Sequence, residues 1–150
     1  MPDPSEFTDP DNFVAGTVGE PGDRVFHLDV TQGSARTTVS LEKVQVQMLA
    51  GALAKAMDEL AAEIELPDPV RPREMAEPVE AEWVVGELGL AHNPSEEKMI
   101  VQIRPVSEHP SGTVLRVHLD YGRARGFAEH ALLLVEYGRN FGRQNGHRKP

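Results

Sequence analysis

Apolar and polar residues alternate along three stretches near the start of the chain, residues 13–19, 24–30 and 35–41. Side chains two positions apart lie on the same face of a strand, so Phe26 and Leu28 are expected to face a core. A proline-glycine turn follows the first stretch and a Gln-Gly-Ser turn follows the second. This part of the chain therefore predicts three antiparallel strands.

From Glu42 the spacing of apolar residues changes to steps of three and four, which places them on one side of a helix that ends near Glu65. The residues of this stripe are Leu49, Leu53, Met57, Leu60 and Ile64. The proline-rich stretch 66–80 cannot continue the helix, because proline lacks the amide donor and clashes with the preceding turn. We expect this stretch to be a linker.

The second half of the chain repeats this order of patterns. Alternation predicts strands at 83–90, 98–104 and 113–119. Asp120 then stands where a helix N-cap is expected, and its carboxylate can accept hydrogen bonds from free amides of the first turn. A helix is predicted to run from there to about Tyr137.

An eight-residue phrase supports the repeated order: NFVAGTVG at 12–19 has an echo in EWVVGELG at 82–89. A three-stranded sheet with one helix seals its apolar face poorly, so two copies are expected to pack together. The predicted fold class is α+β, with two β-β-β-α repeats, six mainly antiparallel strands, two helices and a pseudo-twofold axis. Gly16 and Gly86 are interpreted as sites of a bulge or a close helix approach. The predicted segments are a disordered leader at 1–11, a first repeat at 12–65, a linker at 66–80, a second repeat at 81–138 and a basic tail at 139–150.

Composition narrows the classes of function. The formal charge of −9 argues against a nucleic-acid or membrane-surface platform, which needs a basic footprint. The chain has no cysteine, so disulfides and thiolate metal sites are excluded, and a cytoplasmic location is expected. No apolar run approaches the roughly 20 residues that cross a bilayer. No histidine spacing is typical of a zinc helix, and neither a metal nor another cofactor is predicted.

Several linked motifs resemble those of an actinobacterial family, domain of unknown function 3090. They are FVAGTVGEPGDR, VSLEKVQVQMLAGAL, EWVVGELGLAHNP, LRVHLDYGRARGFAEHAL and the terminal RQNGHRK. The likeness covers most of residues 12–149, and it implies no established activity. Family members usually carry a cysteine-rich, zinc-binding-like stretch before the terminal motif. This chain lacks it, through natural shortening or through deletion, so that zinc site is not expected here.

Candidate chemistry lies on the polar side chains of the strands. If both helices cover one face of the sheet, the opposite face collects His27, Asp29, Arg36, Thr38, Ser40, Gln102, Arg104, Arg116 and His118. Imidazoles titrate near neutrality and guanidiniums bind oxyanions bidentately. In an enzyme, His27 or His118 would act as general acid or base, with Arg36 and Arg116 as charge stabilisers. A solvated strand face is the simpler interpretation of the same residues.

These patterns leave two functions open. The sequence favours a non-enzymatic interaction or adaptor protein that binds a protein partner through the polar sheet face or an edge strand. The alternative is an enzyme or sensor that binds a phosphorylated small molecule through Arg36, Arg116, Asp29 and Arg104. The tail residues Arg139, Arg143, Arg148 and Lys149 are candidate contacts for a polyanion or for the acidic surface of the chain itself, and nucleic acid is not the expected partner.

Overall fold

The computed structural model describes residues 5–20, 22–106 and 114–137. These residues form seven strands and two helices. The strands are β1 (Glu6–Phe7), β2 (Asn12–Val18), β3 (Val25–Gln32), β4 (Ala35–Leu41), β5 (Trp83–Asn93), β6 (Lys98–Pro105) and β7 (Leu115–Asp120). The helices are α1 (Lys43–Ala61) and α2 (Tyr121–Tyr137).

The strands form one sheet in the order β1-β7-β6-β5-β4-β3-β2. Two pairs are parallel, β1 with β7 and β4 with β5, and the other pairs are antiparallel. The fold is therefore α+β with a mostly antiparallel sheet, as predicted, but the prediction of six strands was wrong. The additional strand is β1, which lies inside the segment expected to be a disordered leader.

The missed strand, β1, forms one end of the sheet and is close in sequence to β2 at the other end. Phe7 pairs with Val117 in β7, and its side chain is almost completely buried. Only residues 8–11 separate β1 from β2, the strand at the opposite end of the sheet order, and β1 also contacts β3. The sheet is therefore strongly curled, which explains how α2 contacts both β2 and β7.

Both helices pack on the inner face of the curled sheet, and the core lies between them and the strands. Helix α2 is buried around most of its circumference, and Phe127 stacks on Phe13 of β2 with ring centroids 4.5 Å apart. Helix α1 packs against α2 and β5 through its predicted apolar stripe, and Leu49, Leu53 and Met57 are buried. The other side of α1 faces solvent.

Local interactions explain where these elements begin. The turn between β3 and β4 uses Gly33 at a φ of +61°, which costs glycine little because it lacks a Cβ. The backbone N–H of Glu42 donates to Gln45 Oε1 (2.8 Å) at the start of α1. The Oδ1 atom of Asp120 accepts from the N–H of Arg123 (2.8 Å), so its predicted N-cap role is confirmed.

The two echoing phrases do not occupy matching positions. Phe13 lies within β2 opposite Val30 and is buried, whereas Trp83 is half-buried at the start of β5, where it pairs with Val39. Gly86 lies at a bulge between β5 and β6, as interpreted from the sequence. A Cβ on Gly16, by contrast, would overlap Met75 of the linker rather than a helix. The phrase itself is therefore not evidence for a repeat.

The linker, residues 66–80, packs tightly against both α2 and the sheet. The N–H of Val70 donates to the carbonyl of Gly122 (2.8 Å), and a Cβ on Gly126 would overlap the carbonyl oxygen of Val70. Asn12 of β2 then binds the backbone of Arg73 twice, accepting from its N–H and donating to its carbonyl (both 2.9 Å). Beyond this point the linker crosses the outer face of the sheet, the face turned away from the helices.

No helix among the described residues is both long and apolar enough to cross a membrane.

Replacing Gly126 by alanine should destabilise the protein, because the new methyl group would displace the linker backbone from α2. We expect Gly126→Ala to lower the free energy of unfolding by about 1–3 kcal/mol, the usual cost of overpacking. Gly51 is the matched control, since it is exposed within α1 and a Cβ there would meet nothing within 4 Å. Gly51→Ala should raise the same free energy by about 0.5–1 kcal/mol through better helix propensity.

Urea denaturation of the two variants and the wild type measures both effects. A Gly126→Ala variant as stable as the wild type would show that the linker does not need the close approach to α2.

Candidate functional site

The polar side chains expected on one sheet face do lie on the outer face, but they fall into separate groups. In the first half, Asp29 is 2% exposed and sits between two partners. Arg36 donates from Nε to Asp29 Oδ1 (2.7 Å), and the hydroxyl of Thr38 donates to the same oxygen (2.5 Å). This group is a buried, internally paired cluster.

The linker covers this cluster and accepts a hydrogen bond from each terminal nitrogen of Arg36. One terminal nitrogen of its guanidinium donates to the carbonyl of Ala76 (2.8 Å) and the other to that of Pro78 (3.1 Å). All three nitrogens of the guanidinium are therefore engaged within the chain. Arg36 therefore holds the linker on the sheet.

His27 lies beside this cluster and is also buried. Burial lowers the pKa of its imidazole from the ordinary value of 6.5, while a hydrogen bond to the Val25 carbonyl (3.1 Å) and the Asp29 carboxylate act in the opposite direction. A neutral, enclosed imidazole suits a structural role.

The second half of the outer face carries a more open group around His118. The Nε2 atom of His118 lies 2.6 Å from a carboxylate oxygen of Glu6 in β1, and Arg116 lies 3.7 Å from the other oxygen. Glu6 thus contacts both side chains. Arg104 stands apart, in an exposed ion pair with Glu87 (3.7 Å).

The predicted contacts of the basic tail are not among the described residues. Arg139, Arg143, Arg148 and Lys149 lie outside the described residues. In the described part of the chain, no group of three or more His, Asp or Glu side chains is arranged to hold a metal ion.

Another polar pair connects β5 to the start of α2. His92 Nε2 and the phenol oxygen of Tyr121 are 2.8 Å apart, and Tyr121 is buried. Burial, followed by the nearby Glu97 carboxylate, raises the pKa of the Tyr121 phenol above 10.0. The phenol therefore stays protonated and serves as a hydrogen-bond group between the two elements.

Sequence reasoning missed an apolar groove between α1 and β5, with a volume of about 470 Å³. Leu88 and Leu90 of β5 are only half-buried there, and the Gln45 side chain crosses to the Val85 carbonyl (3.3 Å) at one end. The groove is lined by Gln45, Met48, Leu49, Ala52, Gly86, Glu87, Leu88, Gly89 and Leu90. Glu87 is the one charged residue among them.

The exposed side of α1 extends this groove toward solvent. Val44 is 55% exposed and Met48 is 67% exposed, on the side of the helix opposite its buried stripe. A signal for this surface was present in the sequence, since Val44 and Met48 are four residues apart and outside the predicted stripe. Two large apolar side chains at that spacing form a second apolar patch on one helix.

Arg36→Gln should destabilise the protein, because it leaves the buried Asp29 carboxylate with one fewer donor and frees the linker. We expect the free energy of unfolding to fall by about 2–3 kcal/mol. Trypsin should also cut faster after Arg73, the linker arginine that is not followed by proline.

Arg104→Gln is the matched control for this experiment. It removes an exposed ion pair, so its effect on stability should stay within about 0.5 kcal/mol and cleavage should be unchanged. Equal effects of the two substitutions would refute the role assigned to Arg36.

The stability of the folded chain should decrease on acidification below pH 6.5, in part because of His27. Its pKa is lowered in the folded state, so the unfolded chain binds a proton that the folded chain binds less well. The contribution of His27 to the free energy of unfolding is fully present above pH 6.5. It is lost progressively as the pH falls from 6.5 toward the lowered pKa of His27 in the folded state. His27→Gln should give a shallower decrease between pH 7.5 and 5 in urea-denaturation measurements, and an unchanged slope would contradict the assignment.

Comparison with known proteins identifies the family of the chain but assigns it no activity. A family model described as a protein of unknown function, DUF3090, matches residues 5–144. Searches of curated proteins and of solved structures found no significant match. The family model spans β1, the linker and both helices, and so covers the whole described fold. The chain therefore belongs to the DUF3090 family, as the sequence motifs predicted.

Proposed function

We propose that the protein is a non-enzymatic interaction module that binds a partner protein in the groove between α1 and β5. The partner segment is apolar and is flanked by acidic residues. The observation that carries this proposal is the apolar surface of α1 that continues into the groove, with Met48 67% exposed at its lip.

Hydrophobic burial would drive this association. Covering an exposed methionine side chain contributes about 1.5–3 kcal/mol, and Val44, Leu88 and Leu90 would add further apolar area. Gly51 and Ala52 lie beside Met48 on the exposed surface of α1, so a partner backbone can approach the helix closely. Methionine also adapts its shape to different partner side chains.

Charge supports an acidic partner. Helix α1 contains Lys43 and Lys55 on its exposed side, and no acidic residue occurs between residues 43 and 57. This absence of acid contrasts with the rest of a chain whose formal charge is −9. Acidic side chains flanking the apolar segment would meet these two lysines, which lie on α1 outside the lining of the groove, and opposite charges would steer association.

The two surfaces expected from the sequence fit a partner less well. The outer face is partly occupied by the linker, which uses Arg36 and covers Asp29. Along the edge strand, residues 14–18 of β2 line a slot of about 70 Å³ that Met75, Val79 and His130 close from the other sides. An extended segment needs an open strand edge for backbone pairing.

The proposal that the chain arose by duplication of a half-domain has support from strand register. Trp83 pairs in parallel with Val39, and Phe7 pairs in parallel with Val117. Val39 and Val117 each lie four residues before the first residue of the following helix. When the two halves are aligned by these pairings, Phe7 rather than Phe13 corresponds to Trp83.

Actinobacterial origin and a cytoplasmic location stay predictions of the sequence.

Site-specific photo-crosslinking in the host cell tests the interaction proposal. A photoreactive amino acid at position 48 should give an adduct with one defined protein, whereas the same residue at position 133 should not. Leu133 is the matched control, because it is an exposed apolar residue (43%) on helix α2 outside the groove.

Binding measurements on the purified partner then test the mechanism. Met48→Glu should raise the dissociation constant at least tenfold, because it places a negative charge on the apolar surface that an acidic partner must cover. Leu133→Glu should leave the constant unchanged. An adduct between two copies of this chain, or equal binding by both variants, would overturn the proposal.

A further inference from the structure

We infer that a small cavity between the linker, β2 and α2 binds the phosphate group of a phosphorylated small molecule. The cavity has a volume of about 40 Å³, and Arg71, Arg73 and Arg123 all contribute to its lining. Asp11 is the one acidic residue of the lining. The lining residues therefore include three arginines and one acidic residue, in a chain whose formal charge is −9.

Two of these arginines form no ion pair in the described part of the chain. Within the described residues, the side chains of Arg71 and Arg73 make no ion pair with a carboxylate and no hydrogen bond. Arg123 does bind Asp120, at 3.0 Å. Guanidiniums bind phosphate oxygens bidentately, so the two unpaired arginines are suitable donors to a phosphate group.

The backbone that carries these side chains is fixed on both sides of the cavity. Val70, next to Arg71, donates to the Gly122 carbonyl, and Asn12 forms two hydrogen bonds with the backbone of Arg73. Arg123 belongs to the first turn of α2, which Asp120 caps. A ligand would therefore order side chains alone and would pay little for ordering the chain.

The carboxylate in the lining is already engaged elsewhere. The Oδ2 atom of Asp11 accepts from the N–H of Gly33 (2.6 Å) in the turn between β3 and β4. The size of the cavity limits the buried part of the ligand to one anionic group. The rest of the phosphorylated molecule would lie on the surface beside the exposed Arg71 and Arg73.

This site differs from the anion site expected from the sequence, which used Arg36 and Arg116 on the outer face. Arg36 is engaged by Asp29 and the linker, and Glu6 contacts Arg116. The inference is independent of the proposed groove, because the two sites share no lining residue.

Calorimetric titration of the full chain with inorganic phosphate and with glucose 6-phosphate, at constant ionic strength set with chloride, tests the inference. Both probes should bind, and an Arg71→Gln/Arg73→Gln double variant should bind each at least tenfold more weakly. Arg104→Gln should bind as the wild type does, since that exposed arginine lies outside the cavity.

A second measurement on the wild type does not depend on the variants folding. Titration with phosphate in two-dimensional NMR should shift the amide signals of residues 70, 71 and 73 and the side-chain signal of Arg123. Shifts confined to other parts of the chain, or an affinity that the double variant retains, would overturn the site. Binding of inorganic phosphate without glucose 6-phosphate would overturn the assignment to a phosphorylated small molecule.

Discussion

The close approach of the linker backbone to helix α2 is the constraint on which the candidate surfaces depend. Gly122 and Gly126 lack side chains, so the carbonyls of Asp68 and Val70 can lie directly against the helix. Because the linker is fixed at that point, its continuation is directed past Asn12 and onto the outer face of the sheet. One packing contact between two backbones thus determines which polar groups are covered and which stay accessible.

The strands and helices were predictable from the sequence because their signals are local. Alternation predicted β3, β4 and β6 to within about two residues, and the position of Asp120 gave the start of α2. The strand β1 has no such signal, since two residues cannot show a period and their partner lies more than a hundred positions later. The packing of the linker could not be predicted either, because its proline-rich sequence has no periodicity that indicates a packing partner.

The candidate site shows the same division between local and non-local information. The strand period placed Asp29, Arg36 and His118 on the outer face correctly. The strand period does not indicate which other segments cover these side chains. In the structure the expected shared surface is divided into one cluster under the linker and one group around Glu6. The apolar patch of Val44 and Met48 was visible in the helical spacing, but its significance depends on the incomplete cover of β5.

The parallel pairing of β1 with β7 has a consequence for how the chain reaches its fold during synthesis. Glu6 and Phe7 are synthesised more than a hundred residues before Arg116 and Val117, so Phe7 has no strand partner until β7 has emerged from the ribosome. Contacts between such distant positions also carry a high entropic cost of loop closure, which slows folding. Phe7 therefore reaches its buried position only after the segment that contains β7 has been made.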